Sequence, residues 1–204
     1  MSRITPILRC LSVLSLLLAL VMPAQAQTAD PQVLVKAVSD KVLSTILANK
    51  EQVKTGPTFL ANLIENQIIP IIDQPRMAKY ALGKHWKTIS DQQKADFTTG
   101  FKRLLIKTYS GAFKAYTGQD VTYSATKFNK KKDKAIVTSD IHLAGGSPIR
   151  LKYRLYLSKQ GGWLVYDANI AGLGLLKTYR AQFSEQIQSD GIENTIAKLN
   201  AVQL

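Results

Sequence analysis

Ile149-Arg150-Leu151-Lys152-Tyr153-Arg154-Leu155-Tyr156-Leu157 is the stretch that sets the fold class. Ile149, Leu151, Tyr153, Leu155 and Leu157 fall on one side of a period of two, and Arg150, Lys152 and Arg154 on the other. A strand sends successive side chains to opposite faces of a sheet. The segment 149–158 therefore predicts a β-strand with one apolar face and one basic, wet face. Segments 120–128, 134–143 and 163–170 read the same way. Between them lie Asn129 to Asp133, Gly145-Gly146-Ser147-Pro148 and Gln160-Gly161-Gly162, all of them turn chemistry. Four strands joined by short turns predict an antiparallel meander within 119–170.

Outside the sheet the period lengthens to that of a helix. Val33, Ala37, Val38, Val42, Ile46 and Leu47 predict an amphipathic helix over 32–49. Gly56-Pro57 breaks the chain, and Phe59, Leu60, Leu63, Ile64 and Ile71 predict a second helix over 58–72, kinked or ended by Pro70. Asp73 is placed to cap a short third helix that closes at Gly83. Ser90-Asp91-Gln92-Gln93 has the form of a capping box. The helix it opens carries Phe97, Phe101, Leu104, Leu105, Tyr109, Ala112, Phe113 and Tyr116 on one broad face and ends by Gly118. After the sheet come helices over 175–188 and 191–201, the second opened by an Asp190-x-x-Glu193 box. Helical parts at 30–118 and 171–204 around a four-stranded antiparallel sheet predict an α+β fold, with helices packed on one face of a curved sheet. No repeat or linker interrupts it, so residues 27–204 form one domain.

The first 26 residues are read as an address. Arg3 and Arg9 precede an uncharged run from Leu11 to Met22, and Ala24-Gln25-Ala26 follows as a small-x-small cleavage pattern. That is a cleaved secretory signal peptide, with Cys10 lying ahead of the apolar run. One Cys and two His supply neither a disulfide framework nor a metal set. The formal net charge is +13, of which Arg3 and Arg9 contribute two, leaving +11 on the exported chain. Outside the cytoplasm such a balance points to anionic headgroups or an acidic protein face and away from nucleic acid. A hydrophobic content of 46% excludes a disordered chain.

The search for reactive groups yields little. Gly83-Lys84 lacks the earlier glycine of a phosphate loop, and no G-x-S-x-G elbow is present. Asp140 and His142 share a strand face, as a solvated pair or as a dyad. Asp167 interrupts an apolar strand, either as a base in a cavity or as an acceptor for backbone N–H groups and an Arg. With a tyrosine, Asp167 would be the acid–base pair of an isomerase or hydratase. Lys130-Lys131-Lys132 occupies a turn, as a solvated loop or as a docking patch.

Three blocks in order carry a family resemblance: Ile68-Ile69-Pro70 through Tyr80-Ala81-Leu82-Gly83-Lys84-His85-Trp86; Phe97, Phe101, Leu104, Leu105 and Tyr109; and Tyr166-Asp167, Gly172, then Tyr179-Arg180 and Phe183. Together they resemble the MlaC family of periplasmic phospholipid carriers, the toluene-tolerance auxiliary proteins, over essentially all of 27–204. Ala171-Gly172-Leu173-Gly174 departs from the family's Glu-Gly-Val-Ser. The resemblance implies a cystatin-like or NTF2-like sheet with an apolar cavity beneath the helices. It implies a monomeric, non-enzymatic carrier without cofactor or metal. Its partners would be a phospholipid, an inner-membrane ABC-type complex and an outer-membrane lipoprotein complex, and its role the upkeep of outer-membrane lipid asymmetry. A hopanoid-carrying subgroup is similar to the same family. On the predicted faces the lipid-binding residues are Phe101, Leu105, Tyr109, Tyr153, Leu155, Leu173 and Tyr179, while Lys130, Lys131, Lys132 and Arg150 are assigned to headgroup or partner contact. Exposing an acyl chain of about sixteen carbons costs on the order of 12 kcal/mol at ~0.8 kcal/mol per methylene, so such a carrier needs an apolar interior.

Overall fold

The strands follow one another across the sheet as β1 (Val121–Phe128), β2 (Lys134–Ile141), β3 (Ile149–Leu157), β4 (Trp163–Ile170) and β5 (Leu173–Gly174), all neighbours antiparallel. The computed structural model describes residues 30–204. The signal-peptide reading lies outside the described residues.

The meander is the one expected, with a fifth strand of two residues added. The loop Ala171-Gly172 reverses the chain so that Ile170 pairs with Leu173 and Asn169 with Gly174. Both loop residues have positive φ, 50° and 89°, as the twist of a two-residue hairpin requires. Two residues are too few for a period to show in the sequence.

A bulge in β4 decides which side chains share a face. Arg154 pairs with Asp167, but Leu155 pairs with Val165, which leaves Tyr166 as the extra residue. Trp163 and Val165 therefore lie with Leu157 and Leu155, and beyond the bulge Ala168 and Ile170 lie with Tyr153 and Leu151. Asp167 is carried to the opposite face with Arg154.

All the helices' apolar stripes meet the inner face or one another. Helix α1 (Pro31–Ala48) starts where the Asp30 carboxylate accepts the Gln32 N–H at 2.7 Å, and its Val35 packs with Ala135, Val137, Leu155, Trp163 and Val165. Its far half sets Val42 and Ile46 beside Val53 of α2 (Lys50–Thr55) and Leu60 and Leu63 of α3 (Pro57–Leu63). The single helix expected over 58–72 is instead α3, a π-helical turn Ile64–Ile68 and a 3₁₀ turn Ile69–Ile71. Pro70 has no N–H to continue an α-helical ladder, and the chain rewinds around it. Ile72 then bridges Val165, and the Asp73 N–H donates to the Val165 carbonyl at 2.9 Å, which fastens this segment to the free edge of β4.

The Asp73 carboxylate caps α4 (Gln74–Leu82) as expected, accepting the Arg76 N–H at 3.0 Å. After a 3₁₀ turn Gly83–Lys87, the box at Ser90 and Gln93 opens α5 (Asp91–Lys114), with both reciprocal hydrogen bonds formed at 3.0 and 3.1 Å. Helix α6 (Leu175–Asn200) bends at Gly191, whose φ of 79° is outside the helical region. The two closing helices expected are its two arms. The Asp190 box does not form: the break falls one residue later, and the Asp190 carboxylate pairs with Lys198.

Helices α5 and α6 pack tightly at Gly100. A Cβ there would stand 2.7 Å from the Leu199 Cβ. Gly100→Ala is expected to destabilise the fold by ~1–3 kcal/mol, seen as a lower urea midpoint at unchanged slope. An unchanged midpoint would mean that the two helices have room to separate.

Candidate functional site

The buried apolar residues form three separate cores. One joins α4, α5 and α6 around Phe97, Phe101, Tyr179 and Phe183. A second lies between α1 and the sheet around Val35, Val137, Leu155 and Trp163. The third gathers α1, α2 and α3 around Val42, Ile46 and Leu60. A protein of this size ordinarily has one contiguous core. At the margins of these cores lie side chains that are apolar but only half-buried: Leu105, Tyr109 and Ile170 on the fringe of the first, Ile71 and Tyr153 on the second, Val38, Ile68 and Phe113 on the third, with Ile72 packed against both the first and the second. Ile141, Ile149 and Leu151 continue the inner sheet face, also half-buried, and belong to none of the three.

Tyr153 shows what kind of place this is. Burial pushes its hydroxyl above the ordinary phenol range, opposed by hydrogen bonds with Ser139 and Ser39. Yet the side chain keeps accessible surface. Tyr109 is similar: burial raises its hydroxyl first, and the neighbouring Tyr179 hydroxyl adds to the shift. The half-buried set is thus apolar with a few neutral hydroxyls.

The seven residues expected to line a cavity separate into three groups. Leu105, Tyr109 and Tyr153 are on the half-buried wall. Phe101, Leu155 and Tyr179 are 2%, 0% and 7% exposed and sit in packed cores. Leu173 is 71% exposed at the tip of the β4–β5 turn. Val38, Ile68, Ile141, Ile149, Leu151 and Ile170 were not singled out, although Ile149 and Leu151 lie on the apolar side of the alternation that predicted β3.

The outer face is less bare than its sequence suggests. Arg150 holds Asp140 through two hydrogen bonds, Nε–Oδ1 at 2.8 Å and Nη2–Oδ2 at 2.9 Å. This keeps the Asp140 carboxyl below the usual carboxylate range, with His142 a lesser influence. His142 Nε2 lies 2.8 Å from Thr122 Oγ1, so Asp140 and His142 do not form the dyad considered above. Arg76 stacks 3.5 Å over the Tyr156 ring, and the Tyr156 hydroxyl donates to Asp73 Oδ2 at 2.5 Å.

Asp167 is occupied as well. Its Oδ1 accepts the Ala168 N–H at 2.9 Å and the Leu176 N–H at 3.3 Å, and Arg154 Nε is 3.8 Å from its Oδ2. It orders the start of α6 from the outer face and does not reach the apolar wall. Lys130, Lys131 and Lys132 are exposed in the β1–β2 turn, at the opposite end of the sheet from Ile141 and Ile149.

Comparison with known proteins finds relatives of one family. The family model described as "MlaC protein" matches residues 36–201. The chain is 28% identical over 178 residues to the "Intermembrane phospholipid transport system binding protein MlaC" of Haemophilus influenzae, covering 86% of this chain and 83% of that one. It is 28% identical over 167 residues to the "Toluene tolerance protein ttg2D" of Pseudomonas putida, covering 81% and 76%. In structure it is similar to a phospholipid-binding protein from Ralstonia solanacearum solved in complex with a phospholipid. The TM-score is 0.78 at 33% identity, over 84% of this chain and 96% of that one.

Proposed function

The chain belongs to the MlaC family, and on that premise we propose that it binds a phospholipid and carries it between membranes. The half-buried apolar side chains at the margins of the three cores support this reading. Leu105, Tyr109, Tyr153, Leu151 and Ile170 would enclose the acyl chains, with Phe101, Leu155 and Tyr179 packed behind them as the rigid backing. Leu173 and the β4–β5 turn would border the mouth at the Ile141–Ile149–Ile170 end. The protein would work in the periplasm after removal of residues 1–26. It would pass lipid between an outer-membrane lipoprotein complex and an inner-membrane ABC-type complex, in the service of outer-membrane asymmetry. Among the described residues no helix is long and apolar enough to cross a membrane.

This carrier does no chemistry in our reading. Asp167, the carboxylate that an enzyme on this sheet would use, is held by backbone N–H groups and Arg154 on the outer face. What it needs is a way to release what it shields. The cost of exposing one chain, ~0.8 kcal/mol per methylene, makes unaided release slow, so docking has to favour an opened state.

The test is native mass spectrometry of the mature protein purified without detergent, followed by organic extraction. A discrete mass excess matching a phospholipid is expected. A hopanoid in its place would move the protein to the related carriers. Repeated failure to load from liposomes would overturn the carrier reading.

A further inference from the structure

The end of the sheet remote from the half-buried wall carries a concentrated charge. Segments 127–134 and 158–162 contain six lysines (Lys127, Lys130, Lys131, Lys132, Lys134 and Lys159) against one acid, Asp133. This is a net +5 out of the +11 on the exported chain. All six are exposed, and none joins an ion pair among the described residues.

The turn is built to hold them there. Asn129 accepts the Lys134 N–H on its side-chain oxygen at 2.9 Å and donates to Asp133 Oδ1 at 2.6 Å, so the one acid is engaged within the turn. The Leu157 N–H donates to the Asp133 carbonyl at 2.8 Å and ties the β1–β2 turn to the end of β3. Phe128, next to Lys127 in the chain, is 44% exposed at this end of the sheet, its ring 6.0 Å from that of Trp163.

We propose that this lysine cap is a docking patch for an anionic bilayer surface, separate from the lipid-holding wall. The residue types favour a bilayer over a protein partner. Protein interfaces are depleted in lysine and enriched in arginine, whose planar fork pairs two-to-two with a carboxylate. A diffuse, fluid array of phosphates is matched instead by several mobile point charges with one aromatic side chain at the boundary. Arg150, the arginine first assigned to this role, is already paired with Asp140. Because the cap lies at the packed end of the sheet, a carrier resting on it keeps the Ile141–Ile149–Ile170 end free. The inference deepens the carrier reading by naming a surface the carrier rests on, and the two stand or fall on different measurements.

The experiment is co-sedimentation of the mature protein with phosphatidylglycerol–phosphatidylethanolamine vesicles (1:3) and with phosphatidylcholine vesicles. Binding only to the anionic vesicles, lost at high salt, is expected. Lys130→Glu/Lys131→Glu/Lys132→Glu should weaken it by roughly a hundredfold or more, at about fivefold per lysine removed. Lys50→Glu/Lys84→Glu/Lys87→Glu changes net charge equally at exposed sites elsewhere, and should change binding far less. Equal losses in the two variants, or no binding by the parent protein, would overturn the patch. So would a parent that ignores the vesicles but captures an acidic protein through these lysines. Mass spectrometry of bound lipid should be the same in parent and cap variant. A protein that binds vesicles through the cap but never carries lipid would leave the patch standing and sink the carrier.

Discussion

Tyr109→Trp is expected to leave the protein folded and empty of phospholipid. Tyr109 is on α5, half-buried, beside the Tyr179 hydroxyl at the fringe of the core that joins α4, α5 and α6. A larger side chain in a filled core forces neighbours off their rotamers and costs ~1–3 kcal/mol. The same side chain facing open space takes the place of the ligand instead. The two cases separate in a pair of measurements: lipid retained through purification, by mass spectrometry, and the urea midpoint. Lost lipid at a near-parental midpoint is the expected pair. A lowered midpoint with lipid still bound would show that Tyr109 is core and that the acyl chains lie elsewhere. Leu105→Trp, on the same face of α5, repeats the test at a second point of the wall.

Phe97→Ala should do the reverse, with a large loss of stability. Phe97 is 0% exposed, with the Phe101 ring 5.8 Å away and the Phe183 ring edge-on at 5.0 Å. Phe101 in turn meets Tyr179 at 5.1 Å, so the group is one aromatic cluster joining α5 to α6. Removing a buried phenyl ring from such a place costs ~3–5 kcal/mol, a large part of the ~5–15 kcal/mol that holds a domain together. A fall in Tm of roughly 10 °C is expected for a chain of this length. A fall of only one or two degrees would mean that the cluster closes over the gap.

Much of the architecture is legible in the sequence. Alternation over 149–157 and the glycine-rich turns specify an antiparallel meander, because a strand's period of two leaves a register slip no tolerable alternative. Ser90, Gln93 and Asp73 mark helix starts because the cap hydrogen bonds are local and need nothing from the rest of the chain. The α3 region was harder to read. Pro70 signals a break, but whether the chain rewinds as a π turn and a 3₁₀ turn depends on its docking against Val165.

The candidate site was legible only in part. Periodicity assigns Phe101, Leu105, Tyr109, Tyr153 and Leu155 to inward faces, and all five do point inward. It carries no signal for how far apart the facing elements stand, so it cannot divide Phe101 and Leu155, which are packed, from Leu105, Tyr109 and Tyr153, which are half-open. Asp167 makes the same point through the backbone. A single extra residue at Tyr166 reverses the parity of β4 and takes the carboxylate from the apolar side to the outer one. Arg150 and Arg154 read as a free basic stripe until cross-strand register sets them opposite Asp140 and Asp167.

By itself, then, the sequence determined the α+β class, the order of the four main strands, the helix caps at Asp73 and Ser90, and the excess of positive charge, including the lysine run in the first hairpin turn. These depend on spacing along the chain and on local hydrogen bonds. The tertiary structure alone decided which inward side chains are buried in the three cores and which stay half-buried at their margins, and that Arg150 and Arg154 are paired while the hairpin lysines are not. Those depend on distances between residues far apart in the chain, which are set by packing and by one bulge.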